Sequence, residues 1–346
     1  MNFNNDYFQH ISKQILTTPS PSGFTKGVIE KIEGFAQELG LETKKTNKGN
    51  LLVTFKGQSS EKTLGVSAHV DTLGLMVRSI NADGTLRVTS IGGNQPMSLN
   101  GEYCVVHTRS NKTYSGTVLS TAPASHVYEN NDKAGQKIDE LVIRLDEVVK
   151  NKADVTKLDI CNGDFISIDP KTTFTESGFI KSRYIDDKIS VSMILTVFKS
   201  MLDANVLPLY DVVFVVSTYE EVGHGASHIP AEISRFIAVD MGCIGKDLDC
   251  TEQDVSICAK DSSGPYDYEM TSELIDLAKK YELSYAVDIY PMYGSDASAA
   301  LRGGADIRAA LIGTGVHASH GMERTHMDGC TNTMKLLYAY LTEIQF

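Results

Sequence analysis

The sequence predicts an α/β fold: a mostly parallel sheet flanked by helices, with a β-barrel-like domain inserted into it. Three observations support this. Helical and strand patterns alternate at the start of the chain. The same alternation returns after about residue 180 and runs to the end. Between them, residues 73–169 carry short strands with few long helical stripes. Alternating α and β elements imply a mainly parallel sheet. The chain then divides into a discontinuous α/β domain, 1–72 and 170–346, and a β-rich insert, 73–169. Its 346 residues suit about two domains.

In order, "TKGVIEKIEGFAQELG" places Val28, Ile29, Ile32, Phe35, Ala36 and Leu39 on one helical stripe, stopped by Gly40. "NLLVTFKG" and "TLGVSAHVD" read as strands. In the insert, "GLMVRSINADGTLRVTSIGG" forms two strands around Asn81-Ala82-Asp83-Gly84. "YCVVHTRSNKTYSGTVLS" repeats the pattern, and "DELVIRLDEV" and "GDFISIDP" continue it. Beyond the insert, "ISVSMILTVFKSML" is a buried helix. "DVVFVVS", "RFIAVDMG" and "IRAALIG" are strands. "TSELIDLAKKYEL" is a helix capped by Thr271 or Ser272, and "TNTMKLLYAYLTEI" is the closing helix.

Composition narrows the function classes. A net charge of −12 argues against a nucleic-acid partner, which selects basic surfaces, and gives no sign of an anionic membrane partner. No apolar run reaches the ~18 residues of a membrane span. "MNFNNDYFQHISKQIL" lacks a basic segment followed by an apolar one, so it does not read as a signal peptide. Six cysteines without a CxxC pair read as reduced, mostly buried thiols of a cytoplasmic protein.

Polar residues gather where apolar runs stop. His69 and Asp71 end one strand, and Glu220 and Glu221 follow another. Asp240 ends a third, and His317 and His320 lie just beyond a fourth. In open α/β sheets, ligands bind outside the carboxyl ends of the strands. Asp186 and Asp187 open the long buried helix. Histidines and carboxylates without cysteine suit zinc, cobalt or manganese. Two divalent cations with a bridging hydroxide would balance the charge of the buried Asp186, Glu221 and Asp240, which would be costly unpaired. Three acids and two histidines thus suit two metals sharing one carboxylate. Each residue also has a plainer reading. Asp71 could form a turn or cap, or it could orient the His69 imidazole. Asp186 and Asp187 could cap their helix. Glu220 and Glu221 could form a solvated rim, and Asp240 a turn.

"TPSPSGFT" (18–25), "AHVDTLGLMV" (68–77), "YIDDKIS" (184–190), "YEEVGHGA" (219–226), "AVDMG" (238–242) and "YGSDASA" (293–299) occur in an order that resembles the M42 metallo-aminopeptidases. The resemblance covers nearly the whole chain, including the inserted β domain. It implies a dinuclear aminopeptidase that removes N-terminal residues from peptides with a free N-terminus. One metal would be held by His69, Asp186 and Asp240, and the other by Asp186, Glu221 and His320. Glu220 would be the general base that activates a metal-bridging water, with Asp71 beside it. The Asp186–Asp187 peptide would be cis, and Asp296 would lie near the site, unless it is only a helix cap. The insert would be a dimerisation domain, giving a homo-oligomer built on dimers, with a dodecamer as the larger option. The chain departs from the family pattern in two places. "VGHGA" is about one residue short and carries His224. "ASHGMERTH" lacks the usual tyrosine before its histidine, so His317 and His326 compete with His320 as the ligand. The alternatives are a deacylase or carboxypeptidase of the same clan, which usually carries an α/β insert, and a non-catalytic metal-bound scaffold.

Overall fold

The computed structural model describes residues 1–129 and 131–346. Among the described residues, ten strands form one mixed sheet, six close a barrel and three make a small separate sheet.

Four neighbouring strands form the parallel centre of the large sheet, in the spatial order Tyr210–Ser217, Ser59–His69, Ile233–Val239 and Arg308–Val316. All four carboxyl ends therefore lie on one edge. Antiparallel strands finish both sides: Leu51–Phe55 and Glu42–Lys45 beyond the first, Val255–Asp261 beyond the last. The central strands are apolar almost throughout because both faces are covered. Val212, Phe214 and Val216 face one helical layer, while Val213 and Val215 face the other. Burying each such side chain contributes ~1.5–3 kcal/mol relative to exposure.

The thicker layer holds the helices Asn5–Thr17, Lys26–Glu38, Ile185–Asp203, Tyr268–Lys280 and Met327–Glu343. The first lies in "MNFNNDYFQHISKQIL". Asn4 caps it, and it buries Phe8, Ile11, Ile15 and Leu16. The helix expected to start at Thr271 or Ser272 begins earlier, at Tyr268. Asp267 is its cap, accepting from Met270 N–H at 2.9 Å. An aspartate with an extended backbone out-competes hydroxyls that already lie in the helical turn. The helix Ile185–Asp203 is buried along most of its length, but its backbone at Asp186 and Asp187 is not helical.

The barrel strands follow the order Gly74–Ile80, Leu86–Ile91, Leu141–Leu145, Thr113–Ser120, Tyr103–His107 and Phe165–Ile168, each antiparallel to its neighbours. The interior is filled by side chains such as Leu75, Val88, Val106, Val118, Ile143 and Ile166. Closure removes the exposed strand edges of an open sheet. A tight turn joins the first two strands, with Gly84 at φ +87°. Among the described residues, no helix is long and apolar enough to cross a membrane. All six cysteines are unpaired. Cys104, Cys250, Cys258 and Cys330 are buried, and Cys161 is exposed.

Candidate metal centre

The shared edge of the parallel strands brings four distant segments together. His69 is the last residue of its strand. Its main-chain N–H donates to Asp187 Oδ2 at 3.2 Å, and its ring Nδ1 lies 2.9 Å from the main-chain oxygen of Asp71. A carbonyl can only accept, so Nδ1 carries the hydrogen and Nε2 turns to the centre. There it meets Asp186 Oδ1 at 3.1 Å. His320 repeats this arrangement from the opposite side. Its Nδ1 donates to Gly93 O at 3.0 Å, and its Nε2 lies 3.6 Å from Asp186 Oδ2 and 3.5 Å from Glu221 Oε2. Asp186 thus presents one oxygen to each histidine. The Asp186–Asp187 peptide is cis, as the resemblance leads one to expect.

The paired glutamates occupy a short 3-10 turn, Glu220–Val222, closed by Gly223 at φ +86°. They diverge. Glu220 Oε2 lies 3.7 Å from His69 Nε2, whereas Glu221 faces His320. Asp71 holds this turn. Its carboxylate accepts from Glu220 N–H at 3.0 Å, Glu221 N–H at 3.3 Å and the Ser22 hydroxyl. The carboxylate of Asp71 is 3.7 Å from His69 Nδ1, so its main-chain carbonyl, rather than its side chain, orients the imidazole. "TPSPSGFT" braces the same place: Ser20 Oγ donates to Val70 O at 2.7 Å.

Asp240 follows its strand directly, with its N–H on Ile312 O at 2.9 Å. Ligand-type atoms of His69, Asp187 and Asp240 lie within 4.8 Å of one another, as do those of Asp186, Glu221 and His320. The family resemblance implied Asp186 in both groups, and the sequence itself marked Asp187 only as a cap. The structure puts Asp187 beside His69 and Asp240. His317 pairs through its backbone with Arg324, outside the cluster. His326 caps the last helix and hydrogen-bonds Ser177 O at 2.9 Å. Ser295, not Asp296, caps its helix. Asp296 instead accepts from Ser217 Oγ at 2.6 Å and Ala226 N–H at 2.8 Å, at the two ends of the glutamate loop.

Sequence reasoning missed two supports. Gly92 and Gly93, at the exit of a barrel strand, pack against Glu221 and the His320 ring. Glu323, almost fully buried, accepts from Asp186 and His320 N–H groups. The glycine pair was visible at a strand end. Glu323 opens a short strand, Glu323–His326, without an apolar run to frame it.

Charge crowding sets the electrostatics. Burial, then Asp186, pushes Glu221 up to about 8. The same two causes push Asp240 up to about 7. Burial, then Asp240, raises Glu220 and Asp187 well above the usual carboxylate range, against the opposing pull of His69. Asp186 moves the other way: burial opposes its charge, but hydrogen bonds from both histidines hold it below its ordinary value. Burial disfavours the His320 imidazolium, yet Asp186 and Glu221 outweigh it and push it up to about 10. A donor set of imidazole nitrogens and carboxylate oxygens, with this much uncompensated negative charge, fits divalent cations.

A cleft of about 590 Å³ opens over the cluster, lined by Asp186, Glu220, Asp240, Tyr293, Arg302 and His320 among others. A cavity of similar size, between the barrel and the end of the first helix near Tyr103 and Arg144, contains no comparable group of histidines and acids.

Comparison with known proteins places the chain. Residues 49–336 match the M42 glutamyl aminopeptidase family. The Bacillus subtilis protein YhfE is 45% identical over 330 residues, 95% of each chain. The lysyl aminopeptidase of Pyrococcus furiosus is 25% identical over 348 residues, 97% of each. A TET aminopeptidase from a marine sediment archaeon, Thaumarchaeota archaeon SCGC AB-539-E09, superposes with a TM-score of 0.88 over 99% of this chain and 97% of that one, at 17% identity. The PhTET1-12s chain, from a dodecamer, gives 0.84 over 97% and 99%, at 22% identity. The chain belongs to the M42 family of aminopeptidases.

Proposed function

We propose that this aminopeptidase works through two divalent cations, zinc, cobalt or manganese, held by the cluster above. His69 and Asp240, with Asp187 beside them, would hold one. Glu221 and His320 would hold the other. Asp186 would lie between them. The observation that carries this reading is the placement of Asp186, with one carboxylate oxygen facing each histidine at 3.1 and 3.6 Å. When bound, such a pair polarises a carbonyl and lowers the pKa of water.

The remaining steps fall to the chain's own residues. Glu220 takes the proton of the attacking water and later passes it to the leaving amine. Its geometry supports this role: its carboxylate points into the cleft beside His69 rather than towards His320, where Glu221 lies. Asp71 keeps the two glutamates apart by gripping both backbone N–H groups. The substrate would be a peptide with a free N-terminus. The test is Glu220→Gln, assayed on aminoacyl amides beside N-blocked controls, with metal removed and restored. Metal content should stay at wild type while turnover drops at least ~10²-fold. Turnover near wild type would exclude Glu220 as the base.

The domain division at 73–169 and the assembly belong to the same reading. The barrel would serve as a dimerisation unit for a homo-oligomer in the cytoplasm. A dodecameric relative and unpaired cysteines support this, and light scattering of the purified chain tests it.

A further inference from the structure

Glu323 has no part in the ligand sets above, yet it touches two of their members. It begins the strand Glu323–His326, where it pairs with Ser182 of the strand Phe179–Ser182. That pairing delivers its carboxylate to the segment running into Asp186. Oε2 accepts from Asp186 N–H at 3.0 Å, and Oε1 accepts from His320 N–H at 3.0 Å. The side chain is 1% exposed. Among the described residues, these amides are its hydrogen-bond partners. The residues it joins are 134 positions apart (320 − 186).

We infer that Glu323 is a positioning residue for the cation group Asp186–Glu221–His320, clamping the main chain of two of its three members. The inference rests on the dinuclear reading above. Two convergent N–H donors demand two acceptor oxygens, and a carboxylate supplies both without a donor of its own. A glutamine of the same size supplies one oxygen and turns an NH₂ group towards the other amide. An apolar residue leaves both amides buried and unpaired.

The clamp also accounts for the His320 backbone. His320 has φ +63° and Ala318 φ +59°, left-handed conformations that persist in non-glycine residues only where the surroundings fix them. Glu323 fixes the His320 N–H, Gly93 O fixes its ring, and Gln95 holds Ser319 O at 3.1 Å. The imidazole then has one way to present Nε2. Apart from the shared Asp186, the other group depends on different supports: His69 N–H on Asp187, and Asp240 N–H on Ile312 O. Loss of Glu323 should therefore fall unevenly on the two cations.

The experiment uses the full-length, metal-free chain titrated with cobalt, followed by calorimetry and visible absorption. Wild type should bind two equivalents. Glu323→Gln should weaken one of them by ~10–100-fold, the same one that His320→Ala abolishes, and shift its absorption band. The other equivalent, which shares only Asp186 with the clamp, should weaken less, and its retained binding also shows that the variant folds. Glu323→Ala should weaken the same equivalent further. Equal loss at both equivalents, wild-type binding at both, or failure of the glutamine variant to fold would each overturn the inference. A wild-type chain that does not bind two equivalents would instead sink the dinuclear reading, and this inference with it.

Discussion

Gly313→Ala is a severe test of how the Asp240 side of the site is built. Gly313 lies in the strand Arg308–Val316, where that strand passes the end of its parallel neighbour. A methyl group there would meet Asp240 O at 1.5 Å and Asp240 C at 2.6 Å. Carbon contacts ordinarily lie at ~3.5 Å, so the two chains must part by about 2 Å. The parting lengthens the hydrogen bond from Asp240 N–H to Ile312 O, now 2.9 Å. It also pulls the Asp240 carboxylate from His69 and Asp187. Oxygen ligands of zinc need ~2.0–2.2 Å, so a displacement of this size abolishes the contact. Overpacking costs about 3 kcal/mol. For a chain of this length, that lowers Tm by about 4 °C. The expected variant is folded, binds one cation instead of two and loses at least ~10²-fold in kcat/KM. Metal analysis after gel filtration, a thermal melt and an aminoacyl amide assay read the three effects. A folded Gly313→Ala chain with two tightly bound cations and near-wild-type turnover would refute the packing argument.

Two further predictions concern the loop and the pH response. Asp296→Ala removes both acceptors that tie the glutamate loop, leaving Ala226 N–H buried and unpaired at a cost of ~1–3 kcal/mol. Tm and turnover should both fall. Asp296→Asn, which still offers an oxygen to Ala226 and an NH₂ to Ser217, should fall less, and equal loss in the two variants would contradict this account. For pH, a proton on Asp240 (about 7) or Glu221 (about 8) must leave before a cation takes its place. Cation affinity should therefore rise from pH 6 to pH 8, by up to ~tenfold per unit for each proton displaced. Calorimetric titration in buffers of different ionisation enthalpy counts those protons, and a flat affinity would count against the argument.

The strand-end clusters were legible because charged residues that stop an apolar run have few places to go except the sheet's edge. Periodicity marks His69, Glu220, Glu221 and Asp240 in this way. It does not mark Glu323, whose importance arises from a strand pairing 141 residues upstream (323 − 182). Nor does it separate His317, His320 and His326. The choice depends on a loop that turns left-handed at Ala318 and His320, and no local pattern announces that. The helix cap at Asp267 was hidden by two hydroxyl residues that looked like better starts. The insert's β character showed in its turns. Its closure depends on the register of non-adjacent strands, such as Leu75 opposite Ile166, which hydrophobic alternation leaves open.

The barrel contributes an atom to the candidate metal centre of its neighbour. The loop leaving the strand Leu86–Ile91 hands Gly93 O to the His320 ring and Gln95 to the backbone beside it. An engineer who swapped this barrel for another, or trimmed it to study the α/β core alone, would release an imidazole to spin. A graft that keeps the His320 ring in place must carry those few residues across the junction, whatever becomes of the surface beyond them.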